Sequence, residues 1–255
     1  MKLNYKIYGD GFPIIIMHGL LGSLDNWQTV AKSLAEDKMI ITLDLRNHGR
    51  SMHVTEFNYQ VMVDDLLSFL EEKQIFKAHI LGHSMGGKVA MHFALQHAAF
   101  VEKLIVADIA PVTYSAHHQD VFAGLLAVPI NVIQSRQEAE QIFGKYIGEN
   151  DVVQFLMKAL YRKDDNQFAW RFNLDDIIPQ YENILGFEVQ EGISFEGKTL
   201  FLSGETSNYI KDSYRDKMQE LFPNLCLQTI LGAGHWLHSQ KPKEFIENVK
   251  QFIKE

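Results

Sequence analysis

One cysteine, Cys226, cannot close an intrachain disulfide, so a packed core must hold the fold, and a reduced thiol is expected, with cytoplasmic localisation. Cys226 itself is expected to be a small buried hydrophobe. Positive charge is also scarce: 24 Lys and Arg face 32 Asp and Glu, a net charge of −8. That balance repels phosphate backbones and anionic lipid, so neither nucleic acid nor membrane is an expected partner. No uncharged apolar run approaches the roughly 18 residues of a spanning helix, and Met1-Lys2-Leu3-Asn4-Tyr5-Lys6 lacks the apolar stretch of a signal peptide. Repeats and low-complexity tracts are missing as well. Nothing in the sequence selects a monomer over a homo-oligomer.

What the chain does have is ample apolar material, 46% of 255 residues, enough for one sizeable core. Short β-branched runs at 14–17, 39–43, 78–81, 104–107, 199–202 and 227–231 read as buried strands. Between them, 26–36, 58–73, 88–96 and 242–254 carry apolar residues at helical spacing. Such alternation predicts an α/β fold, a mostly parallel sheet flanked by helices. Residues 3–8 followed by Gly9-Asp10-Gly11 read as a hairpin that adds an antiparallel edge strand. The alternation breaks at 111–186, where helical patterns (136–146, 151–162, 176–185) occur without a convincing strand. This segment is expected to be an inserted helical cap on a core of 1–110 and 187–255. Its aromatic residues, among them Phe122, Phe143, Tyr146, Phe155, Phe168, Trp170, Phe172 and Tyr181, suit the roof of a cleft.

Chemistry concentrates in the turns after the strands. Gly82-His83-Ser84-Met85-Gly86 lies between the strand 78–81 and a helix, the setting in which a Gly-X-Ser-X-Gly turn exposes a serine nucleophile. His18-Gly19-Leu20-Leu21-Gly22-Ser23 follows the first strand, Asp44-Leu45-Arg46-Asn47-His48-Gly49-Arg50-Ser51 the second, and Gly232-Ala233-Gly234-His235-Trp236 the last. Four loops at the carboxyl ends of parallel strands converge on the crevice where open α/β sheets bind ligands. With these motifs the chain resembles the α/β-hydrolase superfamily of serine esterases. It is most similar to the bacterial YbfF-type esterases, through the loops at 18–23 and 44–51 and Asp108-Ile109-Ala110-Pro111.

The resemblance implies a fold and a set of roles. Ser84 would be the nucleophile, and because a hydroxyl is a weak nucleophile it needs a base, for which His235 is the matched histidine. The N–H groups of Met85 and Leu20 would stabilise the oxyanion, with Leu21 as the second choice beside Leu20. The acid is where the sequence departs from the common pattern: Ser207 stands where many members carry an aspartate. Asp108, after the strand 104–107, is the expected acid, with Glu205 and Asp212 as rivals and Ser207 as a supporting hydrogen-bond donor. Trp170 and Trp236 are expected to contact substrate. Asp44 and Arg46 are expected to fix loops, and the ten histidines other than His235, His117 and His118 among them, to be satisfied or solvated and not metal ligands. No metal or organic cofactor is implied.

The expected activity is hydrolysis of small-molecule carboxylic esters or thioesters, acyl-coenzyme A included, through an acyl-Ser84 intermediate. A serine at the turn argues against dehalogenase and epoxide hydrolase chemistry, where the nucleophile is aspartate. Carbon–carbon bond hydrolases and lyases of the same fold also use serine, and a ligand receptor on this scaffold would keep the residues without turnover. Fluorophosphonate labelling together with a p-nitrophenol burst separates an esterase from both.

Overall fold

The computed structural model describes residues 2–164 and 166–254. In chain order the elements are β1 (Tyr5–Tyr8), β2 (Phe12–Met17), α1 (Gln28–Leu34), β3 (Lys38–Leu43), α2 (Tyr59–Glu72), β4 (Ala78–His83), α3 (Met85–Gln96) and β5 (Val101–Ala107). Then come α4 (Gln119–Ala127), α5 (Arg136–Phe143), α6 (Asn150–Met157), β6 (Leu160–Arg162), β7 (Phe168–Trp170) and α7 (Leu174–Ile177). The chain closes with β8 (Thr199–Gly204), α8 (Arg215–Leu221), β9 (Leu225–Ile230), α9 (Leu237–Gln240) and α10 (Pro242–Lys254).

Seven strands form one sheet in the order β1-β3-β2-β4-β5-β8-β9, parallel except for β1. Alternate side chains of each strand enter two different cores, as the two-residue period of a strand covered on both faces requires. Ile14, Ile16, Ile40, Leu81, Ile105 and Leu200 pack with α1 and α10 residues such as Val30, Leu34, Phe245 and Val249. Ile15, Met17, Ile41, Ile80, Val106 and Phe201 pack on the other face with Leu66 of α2 and Val89 of α3. Asn58 caps α2 by accepting the Val61 N–H.

Three features differ from expectation. The edge strand β1 is antiparallel as expected, but it pairs with β3 and not with β2, so Gly9 to Gly11 is a crossover and not a hairpin turn. The segment 111–186 contributes no strand to the main sheet but contains a small antiparallel pair of its own, β6 with β7. Residues 160–162 thus leave the predicted helix and place Leu160 opposite Trp170. Cys226 lies on β9, the outer strand of the sheet, and is therefore exposed and not buried. Among the described residues, no helix is long and apolar enough to cross a membrane.

The chain reverses its direction of travel across the sheet at β2, which has β3 on one side and β4 on the other. The loops leaving β2 and β4 diverge there and open the crevice that holds the site. The turn after β4 is so tight that Ser84 adopts φ 52°, ψ −118°, a sparsely populated conformation worth about 1–3 kcal/mol of strain. Glycine is required on either side. A Cβ on Gly82 would collide with the backbone of Gly86, and one on Gly86 would lie 2.5 Å from the His18 carbonyl oxygen and 2.7 Å from that of Met17. Backbone cannot swing aside as a side-chain end can, so Gly86→Ala is expected to lower unfolding free energy by about 2 kcal/mol or more. A Cβ on Gly148 meets nothing within 4 Å, and Gly148→Ala is expected to stay within about 0.5 kcal/mol of wild type, both variants being read by urea titration.

Candidate active site

Ser84 lies between β4 and α3, and its N–H donates to the Ala107 carbonyl at 3.0 Å, which ties the turn to the neighbouring strand. Across the crevice, Nε2 of His235 lies 3.0 Å from Ser84 Oγ. Its Nδ1 lies 2.7 Å from Oδ2 of Asp108. Asp108 is fully buried, follows β5 directly and has φ 52°. A buried carboxylate must be hydrogen-bonded, and this one accepts the Gly204 N–H at 2.9 Å on Oδ1 and the Ser207 hydroxyl on Oδ2. Because an ionised carboxylate only accepts, Nδ1 of His235 carries the proton and its Nε2 lone pair faces the serine hydroxyl.

The adjacency of β5 and β8 explains how Ser207 and Asp108 meet. Asp108 leaves one strand and Ser207 follows the next, so a hydroxyl from the loop after β8 donates to a carboxylate one strand away. The two rival acids are elsewhere. Glu205 Oε2 accepts the Gly232 N–H at 2.7 Å, bracing the loop that carries His235. Asp212 is exposed and pairs with Arg215.

Buried neutral histidines, expected only to be satisfied or solvated, build the surrounding loops. His18 accepts the Leu45 N–H on Nε2 and donates from Nδ1 to the Gly19 carbonyl. His48 accepts the Leu21 N–H on Nε2 at 3.0 Å and donates from Nδ1 to the Arg46 carbonyl. Burial lowers the first to about 4 and the second to about 3, so both keep the lone pair these contacts need. His83 is also held neutral by burial and donates from Nε2 to the His235 carbonyl at 2.8 Å. The only signal in the sequence was the histidine content of the motifs themselves.

These contacts bear on the expected oxyanion donors. The Leu21 N–H is spent on His48, which removes it as the alternative. Met85 is the first residue of α3, so its N–H has no helical acceptor, and Leu20 and Met85 both line the cleft beside Ser84. Gly19 lets the loop approach: a Cβ there would stand 3.1 Å from that of Ser84. Asp44 and Arg46 fix loops, as expected. Asp44 accepts from Leu24 N, Asn4 Nδ2 and Arg50 N. Arg46 binds Asp65 and the Glu56 and Val61 carbonyls.

The cleft at Ser84 is narrow, with about 40 Å³ free, and Tyr59, Tyr114, Tyr181, Tyr209, Ile109, His117 and His118 line it. His117 Nε2 meets the Tyr209 hydroxyl and His118 Nδ1 that of Tyr181, both at 2.5 Å. Lys88, one turn after Ser84, is buried and donates to the Leu185 and Gly186 carbonyls, and desolvation lowers it to about 7. Of the eight aromatic residues expected to roof the cleft, Tyr181 reaches it, most of the others pack in the core, and Tyr146 is exposed.

Neither tryptophan expected at the substrate lines this cleft. Trp170 is buried and stacked on Phe172 at 5.4 Å, in the same core cluster as the α2 and α3 face of the sheet. Trp236 lies edge-on to His235 but packs its ring on Phe155, in a separate depression. Among the described residues, no three His, Cys, Asp or Glu side chains are grouped to hold a metal ion.

Comparison with known proteins identifies the fold family. The chain matches the sequence model of the alpha/beta hydrolase fold family over residues 13–242. It is 37% identical over 259 residues to Esterase YbfF of Escherichia coli (strain K12), covering 99% of both chains. It is 39% identical over 264 residues to the sn-1-specific diacylglycerol lipase ABHD11 of Danio rerio, covering 99% of this chain and 83% of the relative. A solved structure described as a marine microorganism esterase superposes with a TM-score of 0.96 at 39% identity, over 98% of this chain and 99% of that one.

If the Asp108 charge supports His235, Asp108→Asn is expected to lower kcat by about a hundredfold or more, roughly 2.7 kcal/mol, with little change in Tm. Ser207→Ala removes one neutral donor and is expected to cost up to about tenfold. Glu205→Gln is expected to stay within about twofold. Steady-state kinetics of the three on one p-nitrophenyl ester gives the ranking, and a collapse in Glu205→Gln alone would move the acid to the loop after β8.

Proposed function

The chain belongs to the α/β-hydrolase fold family and is an esterase, and from that premise we propose that it cleaves small carboxylic esters or thioesters through an acyl-Ser84 intermediate. One observation carries the reading: a hydrogen-bonded chain from Ser84 Oγ through both His235 nitrogens to a buried carboxylate. In the first half-reaction His235 takes the serine proton as Oγ attacks the acyl carbon, the Leu20 and Met85 N–H groups stabilise the oxyanion, and His235 returns the proton to the leaving oxygen or sulfur. Water repeats the sequence in the second half-reaction and releases the acid. Asp108 keeps its charge throughout, orienting the imidazole and stabilising the imidazolium.

The narrow cleft supports a short acyl group. Its free space would hold roughly three ordered waters, and tyrosine rings held by hydrogen bonds wall it. Alcohol and thiol leaving groups both suit the mechanism, and short acyl-coenzyme A thioesters are included on that ground. A thiolate departs with less help from the acid than an alkoxide does.

A fluorophosphonate is expected to label wild type and not Ser84→Ala, and the variant should lose both the p-nitrophenol burst and turnover above about a thousandth of wild type. In wild type, kcat/KM for p-nitrophenyl acetate should rise with pH through one acidic limb. His118 and His238 are lowered to about 3 by burial, so they stay neutral above pH 5 and add no second limb. A profile flat from about pH 5 to 9 would contradict a histidine base.

A further inference from the structure

The Tyr209 ring lies parallel to the His235 imidazole, with centroids 3.9 Å apart and planes inclined by 19°. We propose that Tyr209 is a positioning residue for the base: its ring is a plate that holds the imidazole in line with Ser84 and stabilises it when it becomes cationic. The inference rests on His235 as general base.

The need for a plate follows from the hydrogen bonds. Asp108 at Nδ1 and Ser84 at Nε2 hold the two nitrogens within the ring plane but resist a swing of the imidazole out of that plane only weakly. Such a swing carries the Nε2 lone pair off the line to Oγ, and small misalignments are costly in proton transfer. A parallel ring in van der Waals contact blocks that motion from one face. The π-face of a phenol also attracts a cation lying over it within about 6 Å, so the same contact favours the imidazolium formed when the serine proton moves to Nε2.

The plate is itself held, and by the residues that hold the acid. Its hydroxyl meets His117 Nε2 at 2.5 Å and its carbonyl accepts the Tyr114 hydroxyl at 2.5 Å. Tyr114 also accepts the Ala110 N–H, two residues beyond Asp108. The Tyr209 N–H donates to Ser207 Oγ at 3.3 Å, the hydroxyl that donates to Asp108. Burial pushes the Tyr209 phenol upward, so it stays protonated and contributes its face and not a charge.

Other groups face His235 from the elements around it: His83 at the end of β4, His238 on α9, His118 before α4, Trp236 beside it and Asp108 after β5. Burial keeps His83, His238 and His118 neutral, while His117 bonds the Tyr209 hydroxyl and Lys88, lowered to about 7 by desolvation, shares the cleft, so the His235 ring-proton titration, and not the activity limb alone, assigns a change at Tyr209 to His235.

The test compares Tyr209→Phe, which keeps the ring, with Tyr209→Leu and Tyr209→Met, which remove it; the two replacements guard against a folding defect in either, checked by Tm. Tyr209→Phe is expected to keep kcat within about threefold. The ring-free variants should lose about tenfold or more in kcat with KM within about threefold, and their acidic limb should move to lower pH by roughly 0.3 to 1 unit. The His235 ring-proton NMR titration, followed in a Ser84→Ala background, should move in the same direction. That titration needs no turnover, so a failure of the acyl-serine mechanism, seen as unlabelled wild type, is distinguishable from a failure of the plate. An unmoved limb, a limb moved to higher pH, a rise in KM alone, or an equal loss in Tyr209→Phe would each overturn the proposal.

Discussion

The Asp108 carboxylate is a charge held without any solvent exposure, and much of the site's architecture follows from what keeping it there requires. Leaving such a group unpaired would cost several kcal/mol, so three donors converge on it: Gly204 N–H at the end of β8, Ser207 O–H in the loop after it, and His235 Nδ1–H after β9. Those loops are in turn laced together, Thr206 N–H to the Ala233 carbonyl and Gly232 N–H to Glu205. A charge that belongs to β5 thereby organises the ends of the two strands beyond it, and delivers one oriented imidazole to the crevice.

On the other side of the crevice the organising groups are uncharged. His18 and His48 each present one donor and one acceptor to backbone, and only the neutral ring can do both. Their burial is what keeps them neutral. With them in place, the loop after β2 offers the Leu20 N–H while the Leu21 N–H is occupied. The strained turn at Ser84 is tolerated because β4 is central in the sheet and the glycines around it admit backbone against backbone.

The parallel sheet was legible because strands buried on both faces read as continuous apolar runs, and the four loops because each motif sits directly after such a run. Asp108 was legible by position, since it follows a strand whose neighbour carries Ser207. What escaped depends on tertiary placement. The partner of β1 is set by which strand edge is free, not by the nearby glycines. The β6–β7 pair is too short for a periodic signal and borrows its stability from the core around Trp170. Trp170 and Trp236 have the residue type of a substrate contact, yet a tryptophan packs against protein as readily as it faces a ligand. Tyr209 gave no local signal, because its significance comes from a ring 26 positions further along the chain.

Narrowness of the cleft and mobility of the leaving group are separate questions, and both depend first on whether a covalent intermediate forms. The most direct measurement is rapid-quench intact-mass analysis of the enzyme mixed with p-nitrophenyl acetate, followed by peptide mapping. The account predicts that one acetyl group accumulates before steady state and maps to Ser84. Turnover with no adduct at any time, or an adduct confined to another residue, would contradict it.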